Sequence, residues 1–230
     1  MSGFYCSAFL QRSSGDFNNC KKNEKLFTLV VSLNNMGTMV DAFIKYISAH
    51  VELSETDIDL IRALSVPRRL NKKQLFSQQG DICNHMAFVV KGLIRIYSVA
   101  DDGTEHTICF FPEKWWAADW DSYDEQVPSV ASLVALEDCE LLVWKKADFD
   151  LILREVPGVS NFFEGFVSER LKANLTRIHM YISQSSEQKY EYFIKKFPDL
   201  HARVPLHMIA SYLGVTRETL SRVRSNYVHK

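Results

Sequence analysis

The sequence predicts an α+β protein in which a β-rich region is followed by a long helix and then by a group of shorter helices. Three observations indicate this order. Beyond Pro67, short segments rich in β-branched and aromatic residues alternate with Gly and Pro. Apolar residues then recur at helical spacing as far as Ile182. Two further helical segments follow, with Gly214 between them.

Composition restricts the class of protein before any motif is considered. The chain has 230 residues, of which 47% are hydrophobic and 24% are charged, as in ordinary soluble globular proteins. No apolar run approaches the roughly 20 residues that cross a bilayer. The five cysteines are scattered and odd in number, whereas disulfide scaffolds and zinc sites show close pairs. We therefore expect a cytoplasmic protein without a metal ion or other cofactor.

Charge is distributed unevenly along the chain. Residues 201–230 contain five Arg or Lys side chains and one acidic side chain, so this region carries +4 and the rest of the chain −5. A basic end on an acidic body predicts that the C-terminal region contacts a polyanion.

Residues 1–38 differ from the rest and are interpreted as an N-terminal extension. They mix Ser, Asn and Lys with one short apolar run and show no sustained helical or strand period. A secretory signal would place positive charge at the start, but the lysine cluster begins only at Lys21. One hypothesis is that translation starts at Met36 or Met39 and that the extension is a start-site artefact.

Two helices are predicted before the strands. Between residues 39 and 49, apolar residues recur at positions i, i+3, i+4 and i+7 from Val40, which defines one helical face. A second short helix begins after Ser54, because Asp57 stands three positions later and completes a capping box.

Short β-rich segments predict a β-sandwich or barrel within a domain that spans residues 39–156. The clearest turn is Asp101-Asp102-Gly103, because Gly supplies the positive φ that a tight hairpin requires. Six strands are predicted, at residues 74–77, 85–90, 93–99, 107–111, 130–136 and 140–145.

A long helix from Pro157 to Ile182 is predicted to be a dimerisation segment, bounded at residues 157–184. About 25 residues extend almost 40 Å, which exceeds a small β-domain and leaves one face free for a partner. The alternative is that the apolar stripe packs on the core of its own chain. The stripe recurs at spacings of four and three, the width of a coiled-coil seam, and comprises Leu171, Leu175, Ile178 and Ile182.

The last predicted domain, residues 185–230, contains a helix-turn-helix. A first helix begins at Ser185, whose capping box closes three residues later. The motif itself is VPLHMIASYLGVTRETLSRVR at residues 204–224. Its two helices share an apolar inner face, and Gly214 permits the left-handed turn between them.

The outer face of the second helix has the chemistry of duplex recognition. Arg side chains can pair with guanine in the major groove, a carboxylate can accept from cytosine N4, and hydroxyls can hold phosphate oxygens. The alternative is an ordinary solvated surface. The predicted DNA contacts are Thr216, Arg217, Glu218, Ser221, Arg222 and Arg224.

The order of β-rich domain, long helix and helix-turn-helix, together with SYLGVTRETLSRVR, resembles the cyclic-AMP receptor protein and fumarate-nitrate regulator (Crp/Fnr) family of bacterial transcription factors. The likeness covers about residues 40–230. It implies a cyclic-nucleotide-binding-type β-roll, a dimerisation helix and a winged-helix-like DNA-binding domain. It also implies base or phosphate contacts for the matching residues Arg217, Glu218 and Arg222.

The effector site departs from this family pattern. Cyclic-nucleotide binders that the chain resembles present a Gly-Glu to the ribose and an Arg-Ser to the cyclic phosphate. Here Ala118-Asp119 is the nearest match to the first pair, and Pro128-Ser129 stands where the second is expected. A buried phosphate without a cation costs several kcal/mol. Binding of cyclic AMP is therefore not expected.

Aromatic and acidic residues crowd the same segment and define a candidate effector pocket. An aromatic pocket would suit an apolar or cationic ligand. The alternative is that the rings fill a core. The candidate pocket residues are Trp116, Asp119, Trp120 and Ser129.

Two alternatives remain open beside a regulator. The first is a cupin-like metal-dependent enzyme or a small-molecule-binding protein, because the β-roll shares its jelly-roll shape with cupins. Only His85, however, stands where a cupin needs two closely spaced histidines as metal ligands. The second alternative is a haem protein in which His85 or His106 is the iron ligand.

The main prediction is a homodimeric, sequence-specific DNA-binding regulator and not an enzyme. Its expected partners are duplex DNA with an inverted repeat, a second copy of the chain and an unknown small molecule, with RNA polymerase as a further candidate.

Overall fold

The computed structural model describes residues 37–228, apart from the side chain of residue 228. The predictions for the N-terminal extension therefore lie almost entirely outside the described residues. Within them, no helix is both long and apolar enough to cross a membrane.

Two helices precede the first strand, as the sequence predicts. Helix α1 spans residues 37–48 and helix α2 spans Glu55–Leu64. The Ser54 hydroxyl accepts a hydrogen bond from the backbone N–H of Asp57 at 3.2 Å, and the Asp57 carboxylate accepts one from the Ser54 N–H at 2.9 Å. This reciprocal pair satisfies two backbone donors and determines where α2 begins.

The strands of the described residues form two four-stranded antiparallel sheets. They are β1 Val66–Leu70, β2 Leu75–Ser77, β3 His85–Lys91, β4 Ile94–Val99, β5 Glu105–Phe111, β6 Trp116–Ala117, β7 Ser132–Ala135 and β8 Cys139–Lys145. The first sheet has the order β1-β8-β3-β6 and the second the order β2-β7-β4-β5. The β-rich prediction is confirmed as an antiparallel β-roll.

The predicted hairpin is confirmed between β4 and β5. Gly103 adopts a φ of 82°, and the backbone N–H of Ala100 donates to the carbonyl of Thr104 at 3.0 Å. Strands β1 and β6 were not predicted from the sequence, nor were the short helices α3 (Trp120–Glu125) and α4 (Lys146–Glu155).

Helices cover the outer face of the first sheet through an aromatic core. Phe43 of α1 is buried, and its ring centroid lies 5.1 Å from that of Phe88, 5.6 Å from Trp116 and 4.9 Å from Trp144. Phe149 of α4 completes the group. The edge-to-face arrangement of these rings adds to the free energy gained by burying their area.

A second core lies between the two sheets. Alternate residues of each strand point inward, so Ala87 and Val89 of β3 and Leu141 of β8 share this core with Ile94 and Leu133 of the facing sheet. Their neighbours on β3 and β8 face the aromatic core instead. The central strands β3 and β8 of the first sheet are therefore buried on both faces.

The C-terminal helices pack against the outer face of the second sheet. They are α5 Pro157–Ser183, α6 Ser186–Lys196, α7 Leu200–Arg203, α8 Leu206–Leu213 and α9 Arg217–Val228. Phe110 of β5 is fully buried, with its ring centroid 6.4 Å from Phe193 and 5.6 Å from Tyr212. Between residues 186 and 228 the described structure contains helices and no strand, so it includes no wing.

Glycine at position 92 is required by both backbone conformation and space. Its φ is +96°, and a Cβ placed there would lie 2.7 Å from the Asp138 carbonyl oxygen and 2.7 Å from Cys139 Sγ. We expect Gly92→Ala to lower the free energy of unfolding by about 1–2 kcal/mol for conformation and a further 1–3 kcal/mol for overpacking. Gly103→Ala, which shares the positive φ but meets open space, should lose only the first part. Equal losses in urea unfolding would contradict this account.

Candidate nucleic-acid interface and effector cavity

The predicted helix-turn-helix is formed by α8, a short turn and α9. Gly214 has a φ of 63° and ends α8, and the N–H of Val215 donates to the carbonyl of Ala210 at 3.1 Å. This hydrogen bond satisfies a carbonyl at the end of α8 that would otherwise lack a partner. Ile209, Ala210 and Leu213 are buried on the inner face, as predicted.

Helix α9 begins with a side-chain cap from Thr216. Its hydroxyl accepts a hydrogen bond from the N–H of Thr219 at 3.1 Å, and its carbonyl accepts one from Leu220. Leu220 and Val223 are buried against α6 and α8. The cap and the apolar face together fix which side of α9 points outward.

The outward side of α9 carries every residue predicted to contact DNA. All six predicted side chains are exposed. Among the described acidic residues, none lies within ion-pair distance of Arg217, Arg222 or Arg224. This surface therefore offers three cations that the described structure does not neutralise. The exposed residues are Thr216, Arg217, Glu218, Ser221, Arg222 and Arg224.

The apolar stripe predicted on the long helix lies on the surface of this single chain. The exposed fractions are 61% for Leu171, 59% for Leu175, 54% for Ile178 and 82% for Ile182. Val167, four residues earlier, extends the stripe at 44% exposure and was missed in the sequence analysis. An apolar row of this length in water is typical of a protein interface.

A cavity of about 530 Å³ opens between the β-roll and α5, and we call it the α5 cavity. Strand β5, the turn after it, helix α3 and one face of α5 supply its walls. Residues that line it include Ile96, Ile108, Phe111, Lys114, Trp115, Asp119, Trp120, Phe166, Arg170, Ala173, Asn174, Arg177 and Lys196.

The structure brings two of the four predicted pocket residues to this cavity. Asp119 and Trp120 line it, whereas Trp116 and Ser129 are not among its lining residues. Trp116 is buried in the aromatic core, which agrees with the alternative that the rings of this segment fill a core. Ser129 is buried and donates its hydroxyl hydrogen to the Asp119 carboxylate.

Two arginines of α5 enter the same cavity and were missed in the sequence analysis. The Arg170 guanidinium lies over the Trp120 ring, 4.3 Å from its centroid. Burial lowers the pKa of Arg170 to about 10, partly opposed by Cys109 and nearby aspartates, so the group stays charged at neutral pH. Arg177 donates through Nη1 to the carbonyl of Ile108, and its Nε is buried without a hydrogen-bond partner.

Polar contacts join the C-terminal helices to the β-roll. Arg203 donates to Glu113 at 2.8 and 3.0 Å and to Glu137 at 2.7 and 2.9 Å, and we call this group the Arg203 ion-pair cluster. The Ser211 hydroxyl accepts from the N–H of Thr107 at 2.9 Å. The position of α8 on β5 is thus set by directional bonds as well as by apolar packing.

The histidines considered for metal or haem binding, His85 and His106, lie on strands β3 and β5. Among the described residues, no group of three or more His, Cys, Asp or Glu is placed to hold a metal ion. Burial, together with Arg68 and Lys145, lowers the pKa of His85. Cys83 and Cys139 are buried free thiols.

Comparisons with known proteins agree with this architecture. Residues 67–155 match the family model of the cyclic nucleotide-binding domain. The chain is 25% identical over 177 residues to the cyclic AMP receptor protein of Thermus thermophilus, across 74% of this chain and 81% of that protein.

Solved structures show the same fold. FixK2 from Bradyrhizobium japonicum superposes with a TM-score of 0.64 at 14% identity, across 72% of this chain and 85% of that one. A regulator from Eubacterium rectale assigned to the Crp/Fnr family gives 0.58 at 18% identity, across 77% and 85%.

The Arg203 ion-pair cluster predicts a pH-dependent stability. Burial raises the pKa of Glu113, but hydrogen bonds from Arg203 and Gly92 outweigh it, so the pKa lies below its ordinary value of 4.5. A lowered carboxyl pKa stabilises the fold above pH 4.5, and this contribution is lost as the pH falls through the folded-state pKa. We expect Glu113→Gln to unfold at lower urea concentration than wild type at pH 7.

This difference between wild type and Glu113→Gln should shrink as the pH falls below 4.5. Asp59→Asn, a change at an exposed carboxylate of α2, serves as the control for general charge effects. A difference that stays constant from pH 7 into the acid range would show that the Glu113 charge contributes nothing.

Proposed function

The chain belongs to the Crp/Fnr family of transcriptional regulators, and we propose that it binds duplex DNA of a specific sequence as a homodimer. The observation that carries this proposal is the exposed, unneutralised face of α9 on a complete helix-turn-helix. In this proposal the protein acts by occupying DNA, without catalysis and without a metal or other cofactor. RNA polymerase remains a predicted partner.

The side chains of α9 suit contact with a major groove. Arg217 stands in the first turn, where a recognition helix meets base edges, and its guanidinium can pair with guanine O6 and N7. Glu218 can accept from cytosine N4. Thr216 and Ser221 supply hydroxyls for phosphate oxygens, and Arg222 and Arg224 add charge for bases or phosphates.

The exposed stripe of α5 supports the homodimer. Two parallel copies of α5 would bury Leu171, Leu175, Ile178 and Ile182 against each other. A twofold dimer places its recognition helices about 34 Å apart, one turn of DNA. The operator is therefore expected to be an inverted repeat.

The α5 cavity is the proposed sensor site, and its chemistry supports an effector other than cyclic AMP. Pro128-Ser129 provides no cation at the position where the cyclic-nucleotide binders that this chain resembles have an Arg-Ser. The Asp119 carboxylate, which accepts a hydrogen bond from the Ser129 hydroxyl, lines the cavity at the start of α3. A cyclic phosphate placed there would meet a negative charge.

A ligand in the cavity can influence DNA binding through α5. Arg170 and Arg177 face the cavity, the stripe lies on the adjacent face, and Tyr181 donates to the carbonyl of Tyr212 in α8. We propose that the segment from Tyr181 to Ser186 acts as the hinge. A ligand with different affinity for two hinge arrangements changes their populations.

The first experiment tests the DNA-binding face. We expect Arg217→Ala and Arg222→Ala each to weaken binding to a duplex that wild type selects from a random pool, by about 1–3 kcal/mol per lost bidentate contact. Fluorescence anisotropy of the labelled duplex at low salt measures the dissociation constant. Adding cyclic AMP should leave every affinity unchanged.

Arg154→Ala on α4 is the matched control, since it removes one exposed positive charge away from α9. It should bind like wild type, and all variants should keep the wild-type melting temperature. Wild-type affinity for both α9 variants would refute the proposed interface.

The second experiment tests the stripe. We expect the double variant Leu175→Gln with Ile178→Gln to sediment as a monomer, because polar groups in a buried seam lose their hydration. Its duplex binding should weaken. Val66→Gln alters an apolar residue that is 55% exposed on β1 and should remain dimeric. Dimers of the double variant would contradict the seam.

A further inference from the structure

The charges that line the α5 cavity are arranged by side. The lining contains four cations, Lys114, Arg170, Arg177 and Lys196, and three carboxylates, Asp119, Asp121 and Glu169. Two of the carboxylates are already engaged, because Asp119 accepts from Ser129 and Glu169 pairs with Lys172 at 2.7 Å. Positive charge therefore predominates on the α5 side.

Arg170 is held in place by an aromatic ring instead of by an acid. Its guanidinium is stacked on Trp120, and the aspartates that act on it electrostatically, Asp119, Asp121 and Asp124, all lie beyond ion-pair distance in the described structure. A half-buried guanidinium has lost part of its hydration, so an anion that supplies hydrogen-bond acceptors restores what burial removed.

Arg177 provides the second unsatisfied group. It stands seven residues after Arg170, so both lie on one face of α5 about 10 Å apart along its axis, with Ala173 and Asn174 between them. Its buried Nε has no partner in the described structure. An unpaired buried donor carries a desolvation cost that an acceptor from a ligand would remove.

We propose that the α5 cavity binds a small organic anion with an apolar or aromatic body, whose acid group is held by Arg170 and Arg177. This assignment rests on the proposed sensor role of the cavity and names the class of its ligand. It also replaces the apolar or cationic ligand expected from the aromatic sequence. A volume of about 530 Å³ suits a single small molecule, and Ile96, Ile108 and Phe111 provide an apolar wall for its body.

The acid group therefore faces α5 and not the strands. Along a helix, residues advance by about 100° each, so the face with Arg170 and Arg177 lies roughly a quarter turn from the stripe with Leu171 and Ile178. An anion that fixes these two arginines also restricts rotation of α5 about its axis. Binding would thus act directly on the surface that pairs the two chains.

The test uses two dyes that share an aromatic body and differ in charge. The probes are 8-anilinonaphthalene-1-sulfonate, an anion, and N-phenyl-1-naphthylamine, which is neutral. We expect the full-length protein to bind the sulfonate about tenfold or more tightly than the amine, in fluorescence titrations with one site per chain. Arg170→Gln and Arg177→Gln should each reduce sulfonate affinity severalfold and leave amine affinity unchanged.

Two further variants locate the site. Arg154→Gln removes an exposed charge from α4, outside the cavity lining, and should bind both dyes like wild type. Ala173→Phe fills the cavity from α5 and should weaken both dyes, with an unchanged melting temperature as the check on folding. Equal affinity of wild type for the two dyes, or a loss of sulfonate binding in Arg154→Gln equal to that in the α5 arginine variants, would overturn the anion site.

Duplex binding by the same preparations separates this inference from the proposed function. If the protein binds its selected duplex but binds both dyes equally well, only the anion site is refuted. If the protein prefers the sulfonate through Arg170 and Arg177 but binds no duplex, the anion site is supported and the proposed DNA-binding function is refuted.

Discussion

The two ends of α5 are buried in two different apolar cores, and the rest of the molecule is arranged around this constraint. Val159, near its start, belongs to the aromatic core on the first sheet, and Met180, near its end, belongs to the core formed with the C-terminal helices. Close-packed cores resist small continuous displacements. A shift of α5 at one end must therefore be accommodated at the other, which makes this helix the natural route between cavity and helix-turn-helix.

The turn between β5 and β6 forms a second connection. Within four residues, Glu113 bonds Arg203, Lys114 lines the α5 cavity, and the Trp115 ring centroid lies 5.6 Å from that of Phe197, the residue that follows α6. Arg203 and its acidic partners are only partly buried, so water can replace these bonds at modest cost. These hydrogen bonds are directional enough to position the C-terminal helices and weak enough to be replaced by bonds to water.

Local signals made much of the fold predictable from sequence, and tertiary contacts account for what was missed. The Ser54 cap and the turn at Gly214 depend on neighbouring residues, so their spacing is sufficient to identify them. Strand β1 contains Pro67, which usually argues against a strand but is tolerated here at a sheet edge. Arg170 and Arg177 follow the pattern of exposed polar residues on a helix, and only the cavity formed with distant strands gives them a shared environment.

The stripe on α5 has a consequence for how such a regulator would respond to its own abundance. If paired chains are the DNA-competent species, then below the dissociation constant of the pair the amount of that species rises with the square of total protein. Promoter occupancy would then change more steeply than expression does. Residues such as Ile182, at 82% exposure, would in this way set a threshold for gene control as well as an oligomeric state.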